Sequence, residues 1–245
     1  MGSGMETNSV AFTKYDKVSN EMKLLVLDVG NTHISIGTFA GRRLVSARAW
    51  PTAGAGSIGS VLPRADHVVL VSVVPRATRR LKQILRRRFR KPPLVVGQNL
   101  QAPILNRYRI PSQVGQDRLV NGAAAYLLYG GPVIVVDFGT AVTIDLVSGR
   151  RQYRGGLIVP GIRVGMKALI DQAALLPELK RLSPPTEILG RDTQGSMRSG
   201  IFFGYSALCD GLVRRLKANY APKARVVATG GDAKRFAPYC RTIRV

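Results

Sequence analysis

Two acid-and-glycine segments of this sequence have the composition of a phosphate-binding turn. The first is Asp28–Thr32 (Asp-Val-Gly-Asn-Thr) and the second is Asp137–Thr140 (Asp-Phe-Gly-Thr), each after an apolar stretch. Glycine lets the backbone turn tightly and point N–H groups at an anion, and a carboxylate can hold a metal ion that bridges phosphates. One copy alone would be better explained by an ordinary hairpin turn with a capping acid, whereas two copies favour a two-sided clamp on phosphate groups.

Two further segments could do chemistry, and each has a plainer explanation. In Gly115–Arg118 (Gly-Gln-Asp-Arg), Asp117 could take a proton from a hydroxyl while Arg118 holds an anionic substrate. It could equally be an acid favoured by the dipole of a starting helix. Thr229–Asp232 (Thr-Gly-Gly-Asp) would admit a flat ring such as adenine, or would simply end a strand. The residues alone leave both alternatives open.

Other motifs are excluded or weak. Gly54–Gly59 fits the dinucleotide pattern literally, but Pro63 interrupts any following helix and Arg79 stands where an acid is needed. We therefore interpret it as a flexible loop. No P-loop sequence occurs, and His33 and His67 are isolated, which argues against a histidine metal site or a catalytic triad.

The chain is strongly basic, with 37 Lys and Arg against 14 Asp and Glu in 245 residues and a net charge of +23. Such a surface attracts anions. The most basic stretch, residues 79–91, is predicted to be an amphipathic helix. A solvated face explains it better than a nucleic-acid interface, because aromatic residues make up only 7% of the chain and no RNA-binding or zinc motif is present.

Composition also bears on location. Two cysteines, Cys209 and Cys240, cannot form a disulfide framework and suit a reducing compartment. No apolar run approaches the ~20 residues of a membrane span, and residues 1–22 lack the apolar stretch of a secretion signal. We therefore expect a cytoplasmic protein without a membrane partner, whose residues 1–22 are a tag or a disordered extension.

The sequence carries an internal duplication. An apolar strand, an acid-and-glycine turn, a second strand and a Gly-Arg-Arg turn occur twice in the same order. The spacing from Asp28 to Asp137 equals that from Gly30 to Gly139, which favours a repeated domain. The predicted divisions are 1–22, 23–115 and 116–245. Predicted strands are 23–30, 33–39, 44–50, 67–73, 133–137, 141–147, 153–159 and 225–228, and predicted helices are 76–91, 116–129, 160–174 and 193–220.

Taken in order, these motifs resemble the type III pantothenate kinases, a family of the acetate and sugar kinase/Hsp70/actin superfamily. The resemblance covers about residues 24 to 232, and its specificity lies in the ordered set of motifs rather than in any single one. The motifs are Asp28–Thr32, Ser72–Pro75, Gly115–Arg118, Asn121 with Ala123 and Ala124, Asp137–Thr140, Gly156–Gly161 with Ala168 and Leu169, Thr193 with Ser196, Met197 and Gly200, and Thr229–Gly231.

The resemblance implies an α/β fold of two duplicated ribonuclease H-like domains with a cleft between them, the actin-like ATPase architecture. It implies ATP-dependent phosphorylation of pantothenate to 4'-phosphopantothenate, the first step of coenzyme A biosynthesis. ATP, Mg²⁺ and a monovalent cation, K⁺ or NH₄⁺, would be the cofactors. A homodimer would be the assembly.

The same resemblance implies roles for individual residues. Asp117 would be the proton acceptor, Asp137 would bind the monovalent cation and Asp28 would lie near Mg²⁺. The expected ATP contacts are Asp28, Val29, Gly30, Asn31, Thr32, His33, Ile34, Ser35 and Thr140, with Gly230 and Gly231 facing the adenine. The expected pantothenate contacts are Tyr108, Gly115, Gln116, Asp117, Arg118 and Thr193.

Two other functions stay open at this point. The chain could be an inactive nucleotide-binding regulator that contacts nucleic acid through its basic face, or another sugar or acid kinase of the same superfamily. The presence of Asp28, Asp117 and Asp137 favours an enzyme over the regulator.

Overall fold

The structure is a computed structural model that describes residues 22–179 and 181–243. The expectation for residues 1–22 therefore lies outside the described residues, except for Met22. The chain divides into two compact units, Met1–Leu100 and Gln101–Val245. This division falls before the predicted boundary after residue 115, because the short strand Leu105–Asn106 pairs with a strand of the second unit.

The first unit is a five-stranded sheet with an α-helix on one side. The sheet order is β3-β2-β1-β4-β5; β1, β2 and β3 are antiparallel neighbours, and β4 is parallel to β1 and β5. The elements are β1 (Lys23–Val29), β2 (His33–Ala40), β3 (Arg43–Pro51), β4 (His67–Ser72), α1 (Pro75–Arg88) and β5 (Leu94–Val95).

Strand β1 is buried on one face rather than on both. Its apolar run predicts a strand covered on two sides, but only Leu25, Leu27 and Val29 are fully buried, while Asp28 on the other face is exposed. Helix α1 covers the buried face. It begins with Pro75, whose missing N–H costs nothing in the first turn of a helix.

The second unit repeats this plan with longer helices. Its sheet order is β10-β7-β8-β9-β6, with β7, β8 and β9 antiparallel neighbours and β10 parallel to β7. The elements are β6 (Leu105–Asn106), α2 (Gln116–Tyr129), β7 (Val133–Phe138), β8 (Ala141–Val147), β9 (Gln152–Pro160), α3 (Ile162–Gln172), α4 (Thr193–Tyr220), β10 (Arg225–Thr229) and α5 (Ala233–Phe236).

The predicted duplication is confirmed by strand topology. The run β3-β2-β1-β4 of the first unit matches β9-β8-β7-β10 of the second, each being a three-stranded antiparallel meander followed by a parallel strand. Each acid-and-glycine turn joins the first two strands of its meander. The α/β class and the repeated units are therefore as predicted, and helices α2 and α4 have the predicted bounds.

An aromatic stack forms the centre of the second unit's core. Phe202 of α4 lies 4.6 Å from Phe236 of α5 between ring centroids, and Phe138 at the end of β7 lies 6.3 Å from Phe236. Cys209 of α4 is fully buried, as predicted for a core residue. Because Phe138 directly follows Asp137, this core fixes the end of the strand that carries one candidate cation ligand.

The glycine-rich stretch 54–59 is packed rather than free. It forms parts of two 3₁₀ turns, Thr52–Gly54 and Ile58–Ser60, and Ile58 is fully buried. The Trp50 indole Nε1 donates to the Gly54 carbonyl at 2.9 Å. Within the described ranges, none of the helices has both the length and the apolar character that a membrane span requires.

We expect Asp210→Ala to destabilise the second unit. The buried Asp210 carboxylate on α4 accepts the backbone N–H groups of Arg241 and Thr242 at 2.8 and 2.9 Å and the Thr242 hydroxyl at 2.6 Å. A bond to a charged acceptor contributes roughly 1.5–3 kcal/mol. Because Arg241 is exposed and Thr242 half-buried, their donors can bind water in the variant, and we expect a total loss of about 2–3 kcal/mol in urea unfolding at pH 7. Asp171→Ala, at an exposed helical ion pair with Lys167, is the matched control with little effect.

The difference from wild type should shrink in acid. Burial raises the pKa of Asp210, but the bonds from Thr242 and Arg241 outweigh it and leave the pKa below its usual value. A lowered folded pKa stabilises the protein above the unfolded pKa, and this contribution disappears as pH falls through the folded pKa. A difference that stays constant on acidification would contradict this account.

Candidate active site

The first acid-and-glycine turn joins β1 to β2 and is fixed by Thr52, the residue that follows β3. The Gly30 N–H donates to the His33 carbonyl at 3.0 Å and closes the turn. The Thr52 hydroxyl donates to the Gly30 carbonyl at 2.7 Å, and the Thr52 N–H donates to the Thr32 carbonyl at 3.0 Å. The turn therefore has a defined backbone shape, which anion binding through N–H groups requires.

Side chains of this segment divide into two groups by the alternation of the strands. Val29 and Ile34 are fully buried in the first unit's core, so only their backbone atoms could reach a ligand. Asp28 and Ser35 pair in the hairpin register and both line an open cavity of about 420 Å³ on the other face of the sheet. The exposed candidates are Asp28, Asn31, Thr32, His33 and Ser35.

The second acid-and-glycine turn is assembled from three strand ends. Thr229 of β10 lies in register with Asp137 of β7, which places the following glycines beside the carboxylate. Gly230 has a φ of +96°, and a Cβ there would overlap the Asp137 Oδ1 and the Phe138 carbonyl. Only glycine suits this position on both grounds. A Cβ at Gly231 would instead meet nothing within 4 Å.

Gly161 and Asp232 support the backbone of the same turn. The Gly161 N–H donates to the Thr140 carbonyl at 3.1 Å, and a Cβ at Gly161 would overlap that carbonyl. The Asp232 N–H donates to the Phe138 carbonyl at 3.2 Å. The structure thus brings together Asp137, Thr140, Gly230 and the start of α3, which sequence reasoning had treated as separate motifs.

Asp117 lies in the first turn of α2, where the helix N-terminus favours negative charge. It is half-buried, and its Oδ1 accepts the Arg118 N–H at 2.8 Å. Burial raises the pKa of Asp117 above its usual value, and Arg118 offsets part of this rise through its backbone N–H and its charge. A carboxylate in such surroundings binds a proton more readily than an exposed one.

Helix α2 also connects Asp117 to the second turn. Asn121 follows Asp117 by one helical turn, and residues four apart lie on the same face with their Cβ atoms about 5–6 Å from each other. The Asn121 Nδ2 donates to the Asp137 Oδ2 at 2.9 Å. One face of α2 therefore carries the candidate proton acceptor and also contacts the candidate cation ligand.

The Arg118 side chain turns inward and forms a buried ion pair. Arg118 and Asp145 are 8% and 1% exposed. The Arg118 Nε lies 3.1 and 3.2 Å from the two Asp145 carboxylate oxygens, and its Nη2 lies 2.5 Å from Oδ1. The Tyr153 hydroxyl donates to Asp145 Oδ1 at 2.8 Å and the Thr143 hydroxyl donates to Oδ2 at 3.1 Å. Two of the Arg118 nitrogens are thus committed to an internal partner.

The predicted pantothenate contacts fall into two places. Tyr108 joins the surroundings of Arg118, because its ring lies 6.3 Å from that of Tyr153 and its edge packs over Gly155. Thr193 is the exposed first residue of α4, after the N-cap Asp192. None of the hydrogen bonds in the described ranges joins Thr193 to the residues around Asp117.

Four residues of this network were given no role by sequence reasoning: Asn121, Thr143, Asp145 and Tyr153. The detectable signal for Asp145 is an acid inside the apolar strand Ala141–Val147, since a carboxylate is rarely buried without a charged partner. Its partner Arg118 is 27 positions away. That separation explains why local motif reading assigned Arg118 to the substrate alone.

The second unit also contains an apolar cavity away from these residues. It measures about 780 Å³ and is lined by the start of β7, the end of β8 and the end of α4, including Pro132, Leu146 and Tyr220. It therefore lies at the end of the sheet opposite Asp137.

Among the described residues, no group of three or more His, Cys, Asp or Glu side chains is placed to hold a metal ion by itself.

Comparisons with known proteins identify the family of this chain. A family model described as type III pantothenate kinase matches residues 24–215. A type III pantothenate kinase of Moorella thermoacetica is 40% identical over 231 residues, covering 88% of this chain and 90% of that protein. The same enzyme of Halalkalibacterium halodurans is 38% identical over 236 residues, covering 91% of this chain and 92% of that protein.

Two solved structures show the same fold at low sequence identity. A Baf family protein of Campylobacter jejuni is 21% identical with a TM-score of 0.59 and covers 89% of both chains. An archaeal actin homologue is 11% identical with a TM-score of 0.52, covering 89% of this chain and 90% of its own. Together with the matched family model and the extent of the sequence similarity, these observations show that the chain belongs to the type III pantothenate kinase family.

Proposed function

We propose that this pantothenate kinase, which catalyses the first step of coenzyme A biosynthesis, uses Asp117 as the acceptor of the proton from the primary hydroxyl of pantothenate. The main support for the proposal is one face of helix α2. On this face Asp117 lies one turn before Asn121, and the Asn121 side chain donates to Asp137 at 2.9 Å. On that face a proton acceptor lies beside a carboxylate suited to binding a cation.

Asp117 has the environment of a general base. Its Oδ1 is oriented by the Arg118 N–H, and burial raises its pKa so that the carboxylate binds a proton more readily. We assign it to take up the hydroxyl proton, or to orient the hydroxyl, as the phosphoryl group transfers. In such reactions positioning and charge stabilisation supply most of the rate enhancement.

Each acid-and-glycine turn would contribute to binding ATP. We assign the backbone N–H groups of Asp28–Ser35 and the hydroxyl of Thr140 to the phosphates, and Gly230 and Gly231 to the adenine. Asp28 would hold Mg²⁺ and Asp137 a monovalent cation, because hard cations prefer carboxylate oxygens. When bound there, these ions would supply positive charge that stabilises the phosphoryl group during transfer.

Pantothenate would bind at Tyr108, Gly115–Arg118 and Thr193. Arg118 has five N–H donors; one on Nε and one on Nη2 are used by Asp145, so a substrate contact falls to Nη1 or to the second N–H of Nη2. The positive end of α2 adds to the attraction of the pantothenate carboxylate.

We further propose that the enzyme works in the cytoplasm, where its two free buried cysteines stay reduced. We also propose that it works as a homodimer.

The alternative of an inactive nucleic-acid-binding regulator is not favoured. The chain aligns over about nine-tenths of its length with relatives named as kinases, and Asp28, Asp117 and Asp137 are all present. A related kinase with another substrate would be revealed by replacing pantothenate with other hydroxy acids or sugars in the assay described next.

We expect Asp117→Asn to reduce kcat by about 10²–10⁴-fold, the usual contribution of a general base. The asparagine keeps the size of the side chain but cannot take up the proton. The measurement is pantothenate-dependent ADP release, with Asp171→Asn, an exposed acid on α3, as the matched control. Turnover near the wild-type rate would remove Asp117 from the mechanism.

We expect activity to require K⁺ or NH₄⁺ and to be lost when Na⁺ is the only monovalent cation. If Asp137 binds this ion, Asp137→Asn should weaken the activation by K⁺, seen as a higher half-saturating K⁺ concentration. The readout is the same ADP-release assay titrated with KCl at constant ionic strength. Equal rates in NaCl and KCl would contradict the cation assignment.

The two glycines after β10 provide a matched pair of variants. Gly230→Ala should destabilise the protein by about 1–3 kcal/mol, because it places a side chain at positive φ and against Asp137. Gly231→Ala has room and should leave the free energy of unfolding within about 0.5–1 kcal/mol while raising the KM for ATP if the adenine packs there. Urea unfolding and ATP saturation kinetics measure both effects, and an unchanged KM in Gly231→Ala would remove Gly231 from the ATP site.

A further inference from the structure

Asp145 is a buried acid that contacts Arg118 of the candidate site. It has not been assigned to bind substrate or cofactor. It lies on β8, is 1% exposed, and receives donors from three residues, Arg118, Tyr153 and Thr143. The backbone of strand β9 passes close to the Asp145 carboxylate, because a Cβ at Gly156 would overlap the Asp145 Oδ1. The carboxylate is therefore held on every side that the structure describes by groups that fix its position.

Asp145 acts on the site through Arg118. The Arg118 side chain is anchored by Asp145, while the Arg118 backbone N–H binds the Asp117 carboxylate at 2.8 Å. The position of residue 118 thus determines where the Asp117 carboxylate lies. The ring of Tyr153 adds to this anchoring, since the Arg118 guanidinium carbon lies 5.8 Å from its centroid.

We infer that Asp145 is a positioning residue of the kinase reaction, which orients Asp117 through Arg118 and balances the positive charge beside it. The inference rests on the proposed role of Asp117 as proton acceptor. It assigns to the pair Arg118–Asp145 a function in the chemistry, in addition to whatever it contributes to folding.

The charge balance follows from the groups around Asp117. Burial is the largest influence on its pKa and raises it; the Arg118 charge lowers it, and the Asp145 charge raises it. Elements packed against α2 add Asp137 on β7, which is held by Asn121, and the phenol of Tyr153 on β9, whose own pKa is raised by burial and by Asp145. Removing Asp145 would leave the Arg118 charge uncompensated.

The test is the titration of Asp117, followed by NMR of ¹³Cγ-labelled aspartate and assigned with Asp117→Asn. We expect Asp145→Asn to lower the pKa of Asp117, because a neighbouring negative charge is lost. Arg118→Gln should raise that pKa, and the double variant should return it toward the wild-type value. This measurement needs no turnover, so it is independent of whether pantothenate is the substrate.

Kinetics should change in parallel. In Asp145→Asn we expect kcat/KM for pantothenate to fall by roughly 10- to 100-fold, the cost of a small misplacement, with the acid limb of the pH profile moved to lower pH. Tyr153→Phe removes a hydrogen bond to Asp145 but keeps both charges, and its acid limb should stay in place. A purely structural role would change stability in both variants without moving the limb.

The outcomes separate cleanly. An Asp117 pKa that is equal or higher in Asp145→Asn than in wild type overturns the inference. If that single variant does not fold, the comparison of Arg118→Gln with the double variant still removes only Asp145, and it should again lower the pKa of Asp117. Failure of pantothenate-dependent ADP release in the wild type would refute the proposed function instead, and the NMR result would be unaffected.

Discussion

The buried ion pair between Arg118 and Asp145 constrains how the start of α2 packs on the sheet of the second unit. Removing two charges from water costs several kcal/mol for each ion, and the cost is offset only where the remaining lone pairs and protons are bonded. Here Tyr153 and Thr143 supply the missing donors. The start of α2 can therefore meet β8 and β9 in one arrangement, because any shift would leave a buried charge without a partner.

Fixing the start of α2 has consequences one turn further along the helix. When residue 118 is anchored, Asp117 on one side and Asn121 on the next turn have defined positions, and Asn121 meets Asp137 at the end of β7. The end of β7 is fixed independently by Phe138, which packs on Phe236 in the core. The candidate proton acceptor and the candidate cation ligand are thus placed by two separate structural supports, which are linked by the hydrogen bond from Asn121 to Asp137.

The sequence was sufficient wherever the information is local. Gly115–Arg118 was recognised as the start of a helix and drew attention to Asp117, and the repeated acid-and-glycine turns revealed the duplicated sheets and drew attention to Asp28 and Asp137. It was insufficient where partners are distant in the chain. Nothing near Arg118 indicates that its guanidinium faces Asp145, and the apolar run of β1 cannot show that Asp28 lies on a face the first unit leaves open.

The acidic and the basic residues of the chain have different structural roles. Acids are few, and several of them make specific bonds, as Asp145 does with Arg118 and Asp210 with the backbone of Arg241. Bases are many and cover exposed surfaces such as the outer face of α1. Salt screens the interactions between exposed charges that lie more than about 8–10 Å apart, but it acts weakly on a buried pair. The attraction of anions by such exposed basic residues therefore varies with ionic strength, whereas the charge balance around Asp117 is set by the fold.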